Sequence, residues 1–398
     1  MNMRSLIGDK PIIAIAFSWC VLLSGSLLCA DENASSGTDV TRLRIATYNA
    51  SLYGKSEGMV AEKLRSGKNQ QAKQIAAIVQ TVRPDILLVN EIDYDDDAAT
   101  AKWLRDLYFA KQDESAQPPR EPIDYPYVYS AASNTGIASG MDLDNDGATD
   151  GANDAWGYGV YPGQYAFSVF SRYPIQGDAI RTFQKFLWAD LPGAIRPTMP
   201  GDGKSFHDDD VWRSLRLSSK NHVDVPITID GRVVHVLASH PTPPVFDGPE
   251  DRNGARNHDE IDFWRHYIEN DPAIKDDSGH AGGLGKGEAF VILGDLNSDP
   301  LSGDSRRGAI ESLLEHPRIT DPQPRRMSAD DSTPDEVAND TANFGRNGEM
   351  RADYVLPSRE LTTIDAQVFW PSDGQPGERW IHASDHRLVW VDVELPTK

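Results

Sequence analysis

The sequence predicts an α/β fold in which polar side chains gather at the ends of buried strands. An apolar run at residues 289–293 is followed, after a glycine, by Asp295 and Asn297. Residues two apart on a strand point to the same side, so this carboxylate and this amide are expected together at the rim of a sheet. Earlier in the chain, a segment with helical spacing leads into a second apolar strand that ends in Asn90 and Glu91. A helix followed by a buried strand with a polar end is typical of α/β proteins, whose sites form at that rim.

Residues 1–30 have the pattern of an export signal. Two basic residues, Arg4 and Lys10, precede an apolar run that ends before Asp31. This run is also about long enough to cross a bilayer, so an uncleaved N-terminal anchor is the alternative. Residues 31–41 are small and polar and predict a flexible leader. Export implies a periplasmic or extracellular protein, and no later segment is apolar enough to cross a membrane.

The composition limits the classes of partner and the sources of stability. Both cysteines, Cys20 and Cys29, lie in the export segment, so the exported chain needs a packed core without disulfides, to which bound metal can contribute. The formal net charge is −22, which argues against tight, salt-sensitive binding of nucleic acid. It leaves open a nuclease that holds its substrate through a metal and a few arginines. We find no internal repeat or linker, so residues 42–398 are predicted to form a single domain, and we expect a monomer.

The first elements of this domain deliver two candidate site residues. Residues 43–48 alternate as a short strand with Asn49 at its end. Apolar residues at helical spacing then predict a helix: Ile75, Ile78, Val79 and Val82. Residues 86–89 form a continuous apolar strand of the buried kind, which leads directly to Glu91. Asn49 and Glu91 are therefore expected at corresponding strand ends.

A long insertion is predicted at about residues 95–161. Within it, D-L-D-N-D-G-A-T-D places acidic residues at the first, third, fifth and ninth positions of an EF-hand-like calcium loop: Asp142, Asp144, Asp146 and Asp150. The twelfth position is Asn153 instead of glutamate, and no flanking helices are evident. A structural Ca²⁺ site, which would hold this disulfide-free insertion in shape, and a plain acidic turn both fit the pattern.

The middle of the chain delivers a histidine to the same kind of strand end. Four strands are predicted around an irregular stretch rich in proline and glycine, at residues 165–170, 212–217, 225–229 and 232–238. The last of these strands leads to His240, and prolines stiffen the loop that follows. A helix is then predicted at residues 257–270.

The last third of the chain supplies the remaining candidates. A helix at residues 307–314 and a long polar surface loop at 320–350 are expected after Asn297. A strand at 351–356 carries Asp353, and a final strand at 387–393 follows Asp385 and His386.

Polar groups thus stand at or beside six strand ends: Asn49, Glu91, His240, Asp295 with Asn297, Asp353, and Asp385 with His386. Carboxylates and amides favour a hard cation such as Mg²⁺ or Mn²⁺ over a zinc site. Histidines beside carboxylates suit proton transfer or the stabilisation of developing negative charge. Together these residue types predict metal-assisted hydrolysis of a phosphate ester.

The same residues resemble the endonuclease/exonuclease/phosphatase superfamily, which includes deoxyribonuclease I and exonuclease III. The motifs that carry this resemblance occur in the family's order: T-Y-N at 47–49, N-E at 90–91, S-H at 239–240, G-D-L-N at 294–297, A-D-Y-V at 352–355 and S-D-H at 384–386. The resemblance implies a deoxyribonuclease I-like fold, a four-layer α-β-β-α sandwich of two mixed β-sheets with the site at one end.

The resemblance also implies a metal site. Glu91 would be the principal ligand, and Asn49 and Asp385 would assist around the metal. Two departures from the family pattern argue against a second metal. Ser51 stands where some relatives carry an acidic residue, and Gln164 is the match for a glutamate that pairs with the first histidine in the deoxyribonuclease I type. We expect Gln164 to hydrogen-bond that histidine without supplying charge.

The remaining roles implied by the resemblance are catalytic. Asp295 would orient or deprotonate the attacking water, and Asn297 would bind the scissile phosphate. His240 and His386 would contact phosphate oxygens and stabilise the transition state or the leaving group. Asp353 would orient His386, as a carboxylate fixes the tautomer of an imidazole.

The leading hypothesis is an exported, divalent-metal-dependent phosphodiesterase or nuclease that cleaves P–O bonds by in-line attack of water. The first alternative is a sphingomyelinase-like lipid phosphodiesterase, which exposed aromatic residues at 103–109 or 183–188 would favour, or a phosphomonoesterase. The alternative from another class is a non-catalytic, calcium-stabilised binding protein on the same fold. Three arginines, Arg213, Arg252 and Arg256, are candidates to contact a phosphate or to pair with nearby acidic residues.

Overall fold

The computed structural model describes residues 40–112, 119–330 and 332–396. The predicted export segment and most of the predicted leader lie outside these residues. The strands are, in chain order, β1 (Thr41–Leu52), β2 (Ile86–Ile92), β3 (Tyr127–Ala131), β4 (Ala166–Ser171), β5 (Arg181–Thr182), β6 (His222–Ile229), β7 (Arg232–Ser239), β8 (Ala289–Asp295), β9 (Arg325–Arg326), β10 (Ala342–Asn343), β11 (Glu349–Met350), β12 (Asp353–Pro357), β13 (Thr362–Val368) and β14 (Val389–Leu395).

The α-helices are shorter in total than the strands. They are α1 (Met59–Arg65), α2 (Gln70–Val82), α3 (Ala99–Leu104), α4 (Asp209–Ser214), α5 (Arg252–Ile268), α6 (Gly308–Leu314) and α7 (Asp335–Ala338). A π-helical turn at Arg105–Phe109 continues α3. Among the helices of the described residues, none has the length and apolar character needed to span a membrane.

Two mixed sheets organise these elements. The larger sheet has seven strands in the order β3-β4-β2-β1-β14-β13-β9, and the smaller has five in the order β12-β8-β7-β6-β5. In the larger sheet, β1 runs parallel to β2 and antiparallel to β14. In the smaller sheet, β8 runs parallel to β7 and antiparallel to β12. β1 and β8 are therefore interior strands, held by hydrogen bonds on both sides.

The sheets pack between two layers of helices. Alternate residues of β8 face opposite sides: Val291 and Leu293 join the core shared with the larger sheet, while Phe290 and Ile292 pack with α5. On the far side of the larger sheet, α2 buries its apolar stripe in the first of these cores. The order is helix, sheet, sheet, helix, so the predicted four-layer sandwich is confirmed.

One predicted strand is wrong, and two predicted segments contain more structure than expected. Residues 209–214 form α4, because the Asp208 carboxylate caps the helix by accepting hydrogen bonds from the backbone N–H groups of Asp210 and Val211. The segment predicted as an insertion contributes β3 to the edge of the larger sheet. The predicted surface loop at 320–350 contains β9 to β11 and α7, and buries Thr341 beside Asp353.

Candidate active site

Three strand ends at one end of the sandwich turn through left-handed backbone conformations. Ser51 has a φ of 45°, Glu91 of 56° and Asn297 of 52°. Beside the first two, the pairing of β1 with β2 shifts register between Asn49 and Leu52. Non-glycine residues adopt such angles at a cost of about 1 kcal/mol each, which the surrounding sheets must offset. At these three positions the backbone leaves the regular strand conformation, and the side chains there lie close to a common site.

Asp295 is the centre of that site. Its carboxylate is 1% exposed, and Oδ2 accepts a hydrogen bond from Asn49 Nδ2 at 2.9 Å. The same oxygen lies 3.4 Å from His240 Nε2 and 3.5 Å from His386 Nε2. Burial alone would raise the pKa of Asp295, but the charge of His386 and the hydrogen bond from His240 outweigh burial and hold this pKa below its ordinary value. Asp295 is therefore an ionised carboxylate at neutral pH.

His386 stands between two buried carboxylates. Its Nδ1 lies 2.8 Å from Asp353 Oδ2, which also accepts a hydrogen bond from the Thr341 hydroxyl at 2.8 Å. Burial lowers the pKa of His386, but the charges of Asp353 and Asp295 outweigh it and raise the pKa to about 10. The imidazolium thus has one N–H toward each carboxylate. Asp353 is placed as the orienting role requires.

The buried group formed by Asp295, Asp353 and His386 could also hold a metal, since its ligand atoms lie within 4.8 Å of one another. An imidazolium offers no lone pair, so the hydrogen bonds described above favour an ion-pair network at this position. The oxygen donors for a metal are better sought on the open side of Asp295.

Glu91 and Asp385 are the candidates for these donors. Both carboxylates line a cleft that opens beside Asp295, and neither forms an ion pair with a basic side chain among the described residues. Glu91 Oε1 accepts a hydrogen bond from Asn49 Nδ2 at 3.0 Å, and Asp385 Oδ1 accepts one from the Ser51 hydroxyl at 2.8 Å. Two unpaired carboxylates at a cleft fit a hard divalent cation. The amide of Asn49 donates to Glu91 and Asp295, so it positions the carboxylates.

His240 has a different environment from the one expected. Its Nδ1 is buried and has no hydrogen-bond partner among the described residues. The predicted hydrogen bond from Gln164 is wrong, because the amide of Gln164 donates to the Gly54 carbonyl at 2.8 Å and accepts from Val160 N–H at 2.9 Å. Burial and then the charge of Lys220 lower the pKa of His240. His240 is therefore neutral at physiological pH.

Lys220 is a functional candidate that the sequence reading missed. Its buried ammonium lines the cleft and donates to the Pro241 carbonyl at 3.3 Å, the same oxygen that Asn297 Nδ2 donates to at 3.2 Å. An ammonium and the predicted phosphate-binding amide are thus neighbours beside His240. The sequence offers only a single lysine just before a strand, and no motif distinguishes it from other lysines. Its proximity to His240 follows from the pairing of that strand with the strand that precedes His240.

The cleft has a volume of about 630 Å³, and its lining extends from Glu91, His240 and Asp385 to residues that the sequence did not mark as site candidates, such as Trp188 and Leu215. Arg252 and Arg256 line it, whereas Arg213 is exposed elsewhere and pairs with Asp210 at 2.6 Å. A cavity of this size accommodates a small organic group.

The aromatic residues at 103–109 and 183–188, whose exposure would favour a lipid enzyme, do not form exposed patches. The large aromatic residues of both segments belong to the cores, with Trp103 partly buried and the rest buried: Tyr108, Phe109, Phe183, Phe186 and Trp188. Exposed aromatic side chains occur instead at the rim of the cleft, and Phe246 is 87% exposed. The other two are Tyr53 and Tyr158.

The candidate calcium loop is partly assembled. Oxygen atoms of Asp142, Asp144 and Asp146 lie within 4.8 Å of one another, whereas Asp150 is exposed and outside this group. Asn153, at the twelfth position of the loop, donates a hydrogen bond to Asp144 at 2.8 Å. Calcium binding here stays a prediction.

The sequence matches the Endonuclease/Exonuclease/phosphatase family over residues 46–386. The chain belongs to this family. The match includes every strand-end residue from Asn49 to His386. Endonuclease/exonuclease/phosphatase proteins are generally hydrolases of phosphate esters, and they typically use divalent metals. The recognition from the strand-end motifs is thereby confirmed, while the role of each residue stays a prediction.

Several solved structures are similar in fold. An endonuclease/exonuclease/phosphatase from Beutenbergia cavernae DSM 12333 is 19% identical, with 89% of this chain and 72% of that chain covered and a TM-score of 0.47. TDP2 from C. elegans is 16% identical over 90% of this chain and 77% of that chain, with a TM-score of 0.42. Sphingomyelinase C from Streptomyces griseocarneus is 18% identical over 88% of this chain and 99% of that chain, with a TM-score of 0.45.

All three TM-scores lie below 0.5, so these similarities do not indicate which substrate the present chain acts on. A search of curated protein sequences finds no significant match.

Proposed function

We propose that this family member is an exported, divalent-metal-dependent phosphodiesterase that hydrolyses a P–O bond by in-line attack of water. The observation that carries the proposal is the buried, ionised Asp295 held between His240 and His386, where His240 also lines the cleft to which Glu91 and Asp385 belong. An acceptor for a water proton, donors for phosphate oxygens and oxygen ligands for a metal thus meet at one place.

In the proposed reaction, Asp295 orients the attacking water. The water oxygen bonds to phosphorus, its proton passes to the Asp295 carboxylate, and the bond to the leaving-group oxygen breaks on the opposite side. Asn297 and His240 hold phosphate oxygens, and the positive charge of the His386 imidazolium, whose N–H groups face Asp353 and Asp295, stabilises the negative charge that develops on those oxygens. Glu91 and Asp385 would hold a divalent cation such as Mg²⁺ or Mn²⁺, which would supply further positive charge to the site.

The cleft favours a diester over a monoester. A diester carries a second organic group on the phosphate, and the cavity of about 630 Å³ beside the catalytic residues provides room for it. A lipid head group remains a second candidate within this class, because Tyr53, Tyr158 and Phe246 expose aromatic surface at the cleft rim.

The test is hydrolysis of bis(p-nitrophenyl) phosphate beside p-nitrophenyl phosphate by the full chain after treatment with chelator. We expect no turnover without metal, recovery with Mg²⁺ or Mn²⁺, and faster hydrolysis of the diester. Plasmid DNA and sphingomyelin vesicles then separate a nuclease from a lipid enzyme. Absence of turnover on all four substrates with any divalent metal would instead favour a non-catalytic binding protein.

Export is proposed from residues 1–30, whose basic start and apolar run are those of a signal peptide. Expression in a bacterial host is expected to place the protein outside the cytoplasm with a new N-terminus near Asp31. Fractionation and intact-mass measurement check this. An uncleaved chain in the membrane fraction would identify an N-terminal anchor, and a cytoplasmic full-length chain would contradict export.

A further inference from the structure

The part of the cleft away from the catalytic carboxylates contains basic side chains that the proposed reaction does not use. Arg252, Arg256 and His207 line this part, together with apolar side chains including Trp188 and Leu215. The positive charge of the two arginines stands out because the protein has a formal net charge of −22. We call the group of Arg252, Arg256 and His207 the basic wall.

Arg256 is buried without a carboxylate bound to it. Its Nε donates to the Leu217 carbonyl at 2.8 Å, and its Nη2 donates to the carbonyls of Trp156 at 2.6 Å and Arg216 at 2.9 Å. No carboxylate accepts a hydrogen bond from this guanidinium within the described parts of the chain. Carbonyl groups satisfy its donors but do not neutralise its charge, so a buried cation of this kind favours an anion nearby.

The acidic residue nearest in the network does not cancel this charge by direct pairing. Glu260 is buried, and its carboxylate oxygens accept hydrogen bonds from the backbone N–H groups of Ser219 and Thr242, each at 2.6 Å. It therefore fixes the backbone around the start of β6 and the loop after His240. Glu260 acts on Arg256 only through space, since no carboxylate among the described residues accepts a hydrogen bond from this guanidinium, which lines the cleft.

The two other members of the basic wall are an arginine in an ion pair and a neutral histidine. Arg252 forms an ion pair with Glu250 while its guanidinium lies over the ring of Phe206, 5.4 Å from the ring centroid. His207 is buried, and its Nδ1 has no hydrogen-bond partner among the described residues. Burial, followed by the charges of Arg252 and Arg256, lowers the pKa of His207 to about 4. A neutral imidazole next to two guanidiniums can donate one N–H to an anion.

We propose that Arg252, Arg256 and His207 form a second anion-binding site, which holds a phosphate group carried by the non-scissile part of the substrate. Arginine suits this task because its planar fork matches phosphate oxygens. Lys220 lines the same cleft, and its ammonium is close enough to interact with the charges of Glu260, Glu91, Asp295 and Arg256. The substrate class is then a small phosphodiester with a second phosphate.

The assignment of a substrate rests on the proposed hydrolase function, whereas the anion site itself does not, so binding is tested first. Inorganic phosphate is titrated into the full-length, metal-free protein by calorimetry. We expect Arg252→Gln to weaken binding about 10- to 100-fold, the usual range for loss of a charged hydrogen-bond partner. Arg213→Gln, which removes the same charge outside the cleft, is expected to bind like the wild type.

A catalytic-end variant locates the bound phosphate. His240→Ala removes a phosphate donor of the catalytic end but no member of the basic wall, so phosphate bound at the basic wall is expected to stay bound in this variant. Failure of the wild type to bind phosphate would overturn the proposal. Loss of binding in His240→Ala but not in Arg252→Gln would overturn it as well, as would equal weakening in Arg213→Gln.

Hydrolysis tests the substrate class with a matched pair of compounds. The p-nitrophenyl phosphodiester of propanol is compared with that of 3-hydroxypropyl phosphate, which carries a second phosphate. We expect kcat/KM to be about 10- to 100-fold higher for the second compound, and this preference to disappear in Arg252→Gln. Turnover of both without preference would overturn the inference and leave the phosphodiesterase standing. Phosphate binding that depends on Arg252, without turnover of either compound, would support the anion site and contradict the proposed phosphodiesterase activity.

Discussion

Replacing Asp295 by asparagine is expected to lower kcat for diester hydrolysis by about 10²- to 10⁴-fold, the range typical of a lost general base. Asparagine has nearly the same shape and can still hydrogen-bond Asn49, but it cannot take a proton from water. It also removes the negative charge that stands between His240 and His386. Both effects act on the transition state, so kcat is expected to fall more than KM rises.

The measurement is steady-state kinetics with saturating Mg²⁺ or Mn²⁺, accompanied by thermal denaturation to establish that the variant is folded. Asp304→Asn makes the same chemical change at an exposed position, so it should leave kcat unaltered. A folded Asp295→Asn enzyme with kcat within tenfold of the wild type would remove Asp295 from the reaction.

Replacing Glu91 by glutamine is expected to weaken the affinity for the activating metal by at least about 100-fold. Loss of a residue that merely positions a metal ligand typically costs 10- to 100-fold, and Glu91 is predicted to bind the metal itself. A neutral amide oxygen is a poorer ligand for Mg²⁺ than a carboxylate, and Asn49 would lose one of its two charged hydrogen-bond acceptors. Activity is expected to return in part at high metal concentration.

The half-saturating concentration of Mg²⁺ or Mn²⁺ in the diester assay measures this effect. Glu62→Gln, on the exposed side of α1, is the matched control. An unchanged half-saturating concentration in Glu91→Gln would place the metal elsewhere, and the group of Asp295, Asp353 and His386 would then be the next candidate.

The sequence was sufficient to predict where strands end and which polar residues stand there. Asn49, Glu91 and Asp295 each follow an apolar run, and a run of that kind has few alternatives to a buried strand. The proximity of these three side chains was also predictable, because sites in α/β folds form where strand ends share an edge of the sheet. The four-layer architecture came from the family resemblance and not from periodicity.

Features that depend on contacts between distant segments were not predictable in the same way. Trp212 and its neighbours alternate as a strand would, and the Asp208 cap decides for a helix. Aromatic residues look alike in sequence whether buried, as Phe183 is, or exposed, as Phe246 is. The place of Lys220 depends on the pairing of β6 with β7, since only that hairpin brings its ammonium to the Pro241 carbonyl beside His240.

The left-handed backbone at Ser51, Glu91 and Asn297 implies a trade-off between the stability of this protein and its proposed activity. Glycine at any of these positions would have less backbone strain, because glycine adopts positive φ without steric cost. The same substitution would remove a side chain of the candidate active site. Selection for a longer-lived molecule and selection for a faster one therefore pull in opposite directions at these three positions.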